Sequence, residues 1–309
     1  MRLVEHQIEY GHRYDSFKLY YLTDLHLGAK ACDEALLKRH IKRIQEDPFA
    51  RWIGGGDFLD CIARKGDKRY NEETLAPWLA GVNDAVGTQR DYAIALLEPI
   101  ADKCLAMIEG NHERAALDWY DRNIYAELCK PIAHKAKRTA EALMLGVQGY
   151  VKLNFAYRPL KAKGCFWSMT AYCHHGFGGG RLPGGHALAL GRVLGDYDCD
   201  IAFMGHRHVR QHVEKAVTRV RRGKVELHER VGAFVASYLD SYIIPSSDRQ
   251  PIDSYAEHKG LPPGPVGASM LMIEPNAREF HLIPKLGKAS TLRLERLDVL
   301  AADDEALAA

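Results

Sequence analysis

The sequence lacks the features that mark secreted and membrane-spanning proteins. Its seven cysteines are scattered and include no CxxC pair, which favours reduced thiols over a disulfide framework. No uncharged apolar run approaches the ~18 residues of a membrane span. The N-terminus, MRLVEHQIEYGHRYDS, is too polar to be the apolar core of a signal peptide. We therefore expect a cytoplasmic protein with no membrane partner.

An excess of charge of one sign is also missing. The chain has 42 basic and 40 acidic residues, and its formal net charge is +2 over 309 residues. Nucleic acid is thus a partner that the charge balance allows but does not indicate. The most basic stretch, RHVRQHVEKAVTRVRRGK at residues 207–224, is interpreted as a solvated strand or hairpin, with a local basic patch as the alternative. Nothing in the composition fixes an oligomeric state.

Short apolar runs recur along the chain and are followed by polar residues. They are KLYYLT, RWIGGG, KCLAMIEG, SMTAYC and CDIAFMG. Their length and their apolar and aromatic content predict buried strands. Helical spacing predicts helices over residues 33–46, 90–103 and 113–130. Prolines are expected to end the first and the last of these, because the residue before a proline avoids helical geometry.

Strands and helices alternate through the first half, which predicts an α/β fold. In the second half, residues 151–157, 215–220, 224–231 and 269–274 resemble strands with no helices between them, so we expect a second sheet packed on the first. The prediction is a single domain over residues 1–300. Residues 246–267, rich in proline, serine and glycine, are a possible covering loop, and residues 301–309 are a mobile C-terminal tail.

Metal-binding residue types directly follow the five predicted strands. The carboxyl ends of strands in an α/β sheet form the edge at which ligands bind. One such residue on its own is usually solvated or structural, but five groups in one order are difficult to obtain by chance. The groups are Asp24 with His26, Asp57 with Asp60, Asn111 with His112, His174 with His175, and His206 with His208.

The ordered motifs D-x-H, G-D-x-x-D, G-N-H-E, H-x-G and G-H-x-H resemble the signature of the calcineurin-like metallophosphoesterase superfamily. The match runs from Asp24 to His208. It implies a metallo-dependent phosphatase fold, in which two mixed β-sheets form a sandwich flanked by helices. It also implies metal-dependent hydrolysis of phosphate monoesters or diesters. The substrate is not fixed by the motifs.

The resemblance implies a role for each matching residue. Asp24, His26 and His208 would hold one metal ion; Asn111, His174 and His206 would hold the other; Asp57 would bridge the two. Carboxylate, imidazole and amide ligands suit two divalent ions, manganese first and iron, zinc or cobalt as alternatives. A hydroxide between the metals would attack phosphorus. His112 would donate a proton to the leaving oxygen, and Asp60 would accept a hydrogen bond from His112.

Three assignments stay open at this level. His174 and His175 are adjacent and point to opposite sides of a strand. The H-x-G pattern favours His174 as the ligand, which leaves His175 to face the loop or the substrate. The glycine-rich run at residues 176–180 either presents Arg181 to a phosphate group or is a surface turn. Arg207, between two expected ligands, either reaches the substrate or is solvated.

The function also has alternatives. Ser/Thr protein phosphatases usually carry an arginine two residues before the motif asparagine, whereas this chain has Glu109 there. An acidic residue repels a dianionic monoester, so the departure favours either diesters or Arg181 as the substitute cation. A DNA nuclease or end-processing phosphodiesterase is one alternative, with its DNA-binding cations supplied by a partner. An inactive scaffold or binding protein of the same fold is the other.

Overall fold

The computed structural model describes residues 1–62, 70, 72–160, 167–180, 182–221, 223–242, 256, 260 and 262–286. Twelve strands in this part form two mixed sheets of six strands each. The first sheet has the order β1 (Arg2–Tyr10), β6 (Gln148–Tyr157), β7 (Trp167–His174), β8 (Ile201–Met204), β10 (Lys224–Phe234) and β9 (Gln211–Arg221). The second has the order β12 (Glu279–Ile283), β11 (Ser269–Glu274), β2 (Phe17–Leu22), β3 (Ala50–Gly54), β4 (Cys104–Ile108) and β5 (Met144–Gly146).

The described residues form five α-helices, which flank the two sheets. They are α1 (Glu34–Glu46), α2 (Ala85–Leu97), α3 (Asn111–Tyr120), α4 (Ile124–Lys135) and α5 (Pro183–Asp196). A short 3₁₀ segment, Glu98–Lys103, continues from α2. None of these helices has the length and apolar content that a bilayer crossing requires.

Successive side chains of a strand point to opposite faces of its sheet, and this explains the layers of the fold. On β2, Phe17, Leu19 and Tyr21 point into the core between the two sheets. Tyr20 and Leu22 point to the opposite face and pack with residues of α1, α2 and α4. Helix α5 covers the outer face of the first sheet. The predicted fold class, an α/β sandwich of two mixed sheets flanked by helices, is confirmed.

The parallel strand pairs bring the five motifs to one edge. β2, β3 and β4 run parallel in one sheet, and β7, β8 and β10 run parallel in the other. The residues after β2, β3, β4, β7 and β8 therefore lie beyond the carboxyl ends of strands from both sheets. The site is built at this joint edge.

One predicted helix is wrong in its extent. Residues 113–130 belong to two helices, because Asp121 ends α3 in the left-handed region with φ 52°. Asn123 then starts α4 by accepting a hydrogen bond from the amide of Ala126. Pro131 lies inside α4 instead of ending it. The buried face of this helix, which includes Leu128 and Ile132, holds it together past the proline.

The second half also departs from the prediction. Helix α5 lies among the strands where none was expected, and β1 was not predicted at all. Strand β11 pairs with β2, so it extends the sheet of the first half instead of joining a second one. Residues 301–309 and Arg181 lie outside the described residues, as does most of the predicted covering loop at 246–267.

Candidate metal centre

Five of the predicted ligands have positive φ angles, which residues other than glycine rarely adopt. Their φ values are 51° for Asp24, 48° for His26, 50° for Asp57, 69° for His206 and 51° for His208. A left-handed residue costs on the order of 1 kcal/mol, and such positions concentrate at functional sites. The loops that carry them are joined by main-chain hydrogen bonds, from Asp24 N to Gly56 O at 2.9 Å and from His26 N to Asp57 O at 3.0 Å.

Asp24, His26 and His208 form the first group of donors. His208 Nε2 lies 3.2 Å from Asp24 Oδ1 and 3.2 Å from His26 Nε2. His26 Nε2 lies 3.9 Å from Asp24 Oδ1. Asp24 and His26 are buried, whereas the side chain of His208 is 35% exposed. This group is therefore buried at Asp24 and His26 and accessible to solvent at His208.

The second group combines Asp57, Asn111, His175 and His206. His175 Nε2 lies 2.9 Å from Asn111 Oδ1 and 3.1 Å from Asp57 Oδ2. His206 Nδ1 lies 2.7 Å from the same Asn111 oxygen. Asp57 Oδ2 is also 3.9 Å from His26 Nε2. Asp57 thus lies between the two groups.

The structure corrects the choice between the adjacent histidines. His174 Nδ1 accepts the amide N–H of Gly176 at 2.8 Å, and its ring packs edge-on against Phe177. The physical reason is strand parity. Met169, Ala171 and Cys173 of β7 point into the core between the sheets, so the next residue on that side is His175. His174 lies on the opposite face, with Tyr172 and α5.

A main-chain carbonyl fixes the orientation of His175. Its Nδ1 lies 2.8 Å from Gly55 O, and since a carbonyl oxygen can only accept, Nδ1 carries the proton. Nε2 is then the nitrogen that faces Asp57 and Asn111. Metal-binding histidines are typically held in this way, with the second ring nitrogen donating to a carbonyl or carboxylate.

His112 is held in the same tautomer. Its Nδ1 donates to Asp60, the predicted partner, and the acceptor is the main-chain oxygen of that residue, at 2.5 Å. The Asp60 carboxylate oxygen Oδ1 lies 3.6 Å from His26 Nδ1. The main-chain N–H of His112 donates to Asp57 Oδ1 at 2.8 Å. His112 is therefore fixed beside both groups of donors.

Charge and burial oppose each other in this site. Burial disfavours the charged form of His175, but the Asp57 carboxylate outweighs it and raises the His175 pKa to about 10. Burial likewise opposes ionisation of Asp57, yet His175 and His112 hold its pKa well below its usual range. For His26, burial lowers the pKa and a contact with Asp60 only partly offsets it. The Asp57 carboxylate is thus kept ionised by the histidines around it.

The donor set fits divalent cations. Ligand atoms around a tetrahedral ion with ~2.1 Å bonds lie about 3.4 Å apart, and the donor separations in both groups fall around this value. Carboxylate, imidazole and amide oxygen are all suitable ligands for such ions. Asp24, His26 and His208 form one set of convergent donors, and Asp57, His175 and His206 form another. Divalent cations would also balance the buried carboxylates.

Of the two arginines considered as substrate contacts, only Arg207 lies within the described residues. Arg181 lies outside the described residues, so its predicted contact with phosphate stays a prediction. Arg207 directs Nε and Nη2 to the carbonyl oxygen of Phe177, at 3.2 and 3.1 Å. Its guanidinium also stacks on the ring of Phe234, 4.9 Å from the centroid. Arg207 therefore binds the protein and is not simply solvated.

Glu113 is a site residue that the sequence prediction did not include. It is fully buried and accepts the main-chain N–H groups of Asp57, Leu59 and Gly110 at 3.0, 3.0 and 3.1 Å. Burial, followed by repulsion from Asp57, raises the Glu113 pKa to about 7. Its place as the last residue of G-N-H-E was a signal that could have identified it.

Comparisons with known proteins give only distant structural similarity. No family model and no curated protein matches the chain. A metallophosphoesterase from Sphaerobacter thermophilus aligns over 88% of this chain and 90% of its own, with 13% sequence identity and a TM-score of 0.37. A conserved uncharacterized protein from Streptococcus pneumoniae, described as a predicted phosphoesterase, aligns over 88% and 99%, with 8% identity and a TM-score of 0.29. TM-scores this low establish no activity, so function is inferred from the site.

Proposed function

We propose that the chain is a metal-dependent phosphoesterase that works with two divalent metal ions. The observation that carries the proposal is the position of Asp57, whose Oδ2 lies 3.1 Å from His175 Nε2 in one donor group and 3.9 Å from His26 Nε2 in the other. Asp24, His26 and His208 would hold one ion, Asn111, His175 and His206 the other, and Asp57 both. When bound, the ions polarise the phosphoryl group and activate water as the nucleophile. Manganese is the first candidate, with iron, zinc and cobalt as alternatives.

His112 supplies the proton that the leaving oxygen needs. Its Nδ1–H is bound to the carbonyl oxygen of Asp60, so Nε2 is the nitrogen that can carry the transferable proton. As the bond from phosphorus to the leaving oxygen breaks, this oxygen takes the proton and leaves as an alcohol. General acid catalysis of this kind contributes roughly 10²- to 10⁴-fold in rate.

We propose phosphodiesters as the preferred class. Glu109 is the last residue before Gly110 and Asn111, and it is buried. Ser/Thr protein phosphatases usually carry an arginine at this position, and an acidic residue in its place supports a singly charged diester over a doubly charged monoester.

Turnover of two matched substrates tests the proposal. The protein is stripped with a chelator and reloaded with manganese, zinc, iron or cobalt, and hydrolysis of p-nitrophenyl phosphate and bis-p-nitrophenyl phosphate is measured. We expect metal-dependent turnover with the larger kcat/KM for the diester. A larger value for the monoester would contradict the diester preference alone. No turnover with any metal would contradict the enzyme and favour the scaffold alternative.

A further inference from the structure

His26 presents one ring nitrogen to the donor groups and buries the other. Its Nε2 lies 3.2 Å from His208 Nε2 and 3.9 Å from Asp57 Oδ2. Its Nδ1 is inaccessible to solvent, and within the part of the chain that the structure describes it makes no hydrogen bond. Buried polar atoms are rarely left unpaired, so an acceptor for this nitrogen is expected close by.

The Asp60 carboxylate lies next to this nitrogen. Its Oδ1 is 3.6 Å from His26 Nδ1, and both side chains are buried, at 9% and 3% exposed. This separation is longer than that of a hydrogen bond, and a small rotation of the Asp60 side chain would close it. His26, Asp60 and His112 form one group of convergent donors, so the carboxylate has two histidine rings within reach.

The main chain of Asp60 decides between the two rings. Its N–H donates at 3.0 Å to the carbonyl oxygen of Leu27, which directly follows His26. Its own carbonyl oxygen accepts the Nδ1–H of His112 at 2.5 Å. This proton of His112 is thus already paired with the main chain, which leaves the carboxylate to accept from His26.

We propose that Asp60 is a positioning residue that acts through His26, with its carboxylate accepting the Nδ1–H and thereby orienting Nε2 towards the first metal ion. A histidine that binds a metal through one nitrogen typically donates the other to a carboxylate or a carbonyl. The inference rests on the proposed function and deepens it. The side chain of Asp60 supports metal binding, whereas its main chain holds His112.

Manganese titration of the metal-free full chain, with free Mn²⁺ followed by its EPR signal, tests the proposal without relying on activity. We expect Asp60→Ala to weaken binding of one of the two ions by about tenfold or more and to leave the other unchanged. Asp60→Asn loses the charge but keeps an oxygen that can accept from Nδ1, so it should recover most of the affinity. Asp91→Ala, at a 67% exposed side chain on α2, is the control and should bind manganese as the wild type does. Equal affinities in Asp60→Ala and the wild type, or in Asp60→Ala and Asp60→Asn, would overturn the positioning role.

The dependence of kcat on the leaving group separates His26 from His112. At saturating manganese, kcat is compared for an ester with an alkoxide leaving group and for a p-nitrophenyl ester. Because the main chain of Asp60 holds His112, Asp60→Ala should keep the wild-type ratio of the two values, whereas His112→Gln should lower it. A lowered ratio in Asp60→Ala, with unchanged manganese affinity, would assign the carboxylate to His112 and overturn the inference.

Should Asp60→Ala not fold, NMR of the zinc-loaded wild type and of Asp60→Asn, both with ¹⁵N-labelled histidine, gives a second measurement. The Nδ1–H signal of His26 is assigned by its loss in His26→Gln. It should lie further downfield in the wild type, because a hydrogen bond to a carboxylate is stronger than one to an amide oxygen. Equal shifts, or an Nδ1 without a proton, would overturn the role of Asp60 and leave the proposed function standing. Absence of metal binding by the wild type would overturn both.

Discussion

The carboxylate of Glu113 accepts the main-chain N–H of Asp57 at 3.0 Å. The same side chain accepts two further amides, from Leu59 in the loop after β3 and from Gly110 at the end of β4. One buried carboxylate therefore joins the two loops that carry Asp57 and Asn111. Since Asp57 has a left-handed backbone, this contact also helps to hold the angle at which its side chain reaches both donor groups.

We expect Glu113→Leu to destabilise the fold by at least about 3 kcal/mol, because three buried N–H groups lose their acceptor at once. Urea unfolding in the presence of a chelator measures this without a contribution from metal binding. Glu113→Gln keeps one acceptor oxygen and should fall between the wild type and the leucine variant. Glu46→Gln, an exposed position on α1, is the control and should change the unfolding free energy by less than about 0.5 kcal/mol. Equal effects at the two positions would remove this role from Glu113.

The two adjacent histidines should differ in their effect on metal binding. His175→Ala removes a nitrogen that faces Asp57 and Asn111 and should lower manganese content at the second group. His174→Ala removes local contacts with the Gly176 amide and the Phe177 ring and should leave the manganese content unchanged. Metal analysis of both variants after dialysis measures this. Metal loss from His174→Ala alone would restore the choice made from the motif.

His112→Gln should separate binding from turnover. The variant keeps the main-chain contact to Asp57 and should retain both ions, but it cannot donate a proton. We expect a loss of roughly 10²-fold or more in kcat on esters with a poor alkoxide leaving group. The loss should be much smaller on p-nitrophenyl esters, whose leaving group needs no proton. A uniform loss across leaving groups would indicate that His112 acts through structure.

Stability should depend on pH through His40 on α1. Burial, with smaller contributions from Arg43 and Arg39, lowers the His40 pKa to about 4, and the neutral ring lies 2.7 Å from the hydroxyl of Tyr238. Because the folded-state pKa is below the unfolded value of about 6.5, stability is present at neutral pH and is lost as pH falls from about 6.5 towards 4.

Between pH 7.5 and pH 5, this single histidine should remove about 2 kcal/mol of unfolding free energy. We expect His40→Gln to show a correspondingly smaller loss over the same range. Chemical denaturation of both proteins at the two pH values measures the difference. If the wild type and the variant lose the same unfolding free energy, protonation of His40 does not destabilise the fold.

Most of the candidate metal centre could be predicted from the sequence, because its residues follow buried strands in a fixed order. Asp24, Asp57 and His206 lie where a strand-end position places them. The H-x-G motif predicts His174 as the ligand, whereas the alternation of Met169, Ala171 and Cys173 along the strand places His175 on the inner face.

The missed elements have similar explanations. The buried residues of α5, which include Ala189, Leu190, Val193 and Leu194, have helical spacing, but Gly184 and Gly185 at its start obscured it. β1 is polar on its exposed side, and only Ile8 and Tyr10 are buried. The role of Arg207 could not be assigned from sequence, because it depends on contacts with Phe177 and Phe234, whereas the position of Glu113 in G-N-H-E was a usable signal.

The rate of bis-p-nitrophenyl phosphate hydrolysis, followed as manganese is added in equivalents to the metal-free protein, tests the central claim most directly. Because Asp57 joins the two donor groups, we predict no turnover without metal and a rate that saturates at two ions per chain. The Asp57→Asn variant should not reach the saturated rate of the wild type. Saturation at one ion, or hydrolysis that needs no metal, would contradict the two-metal phosphoesterase.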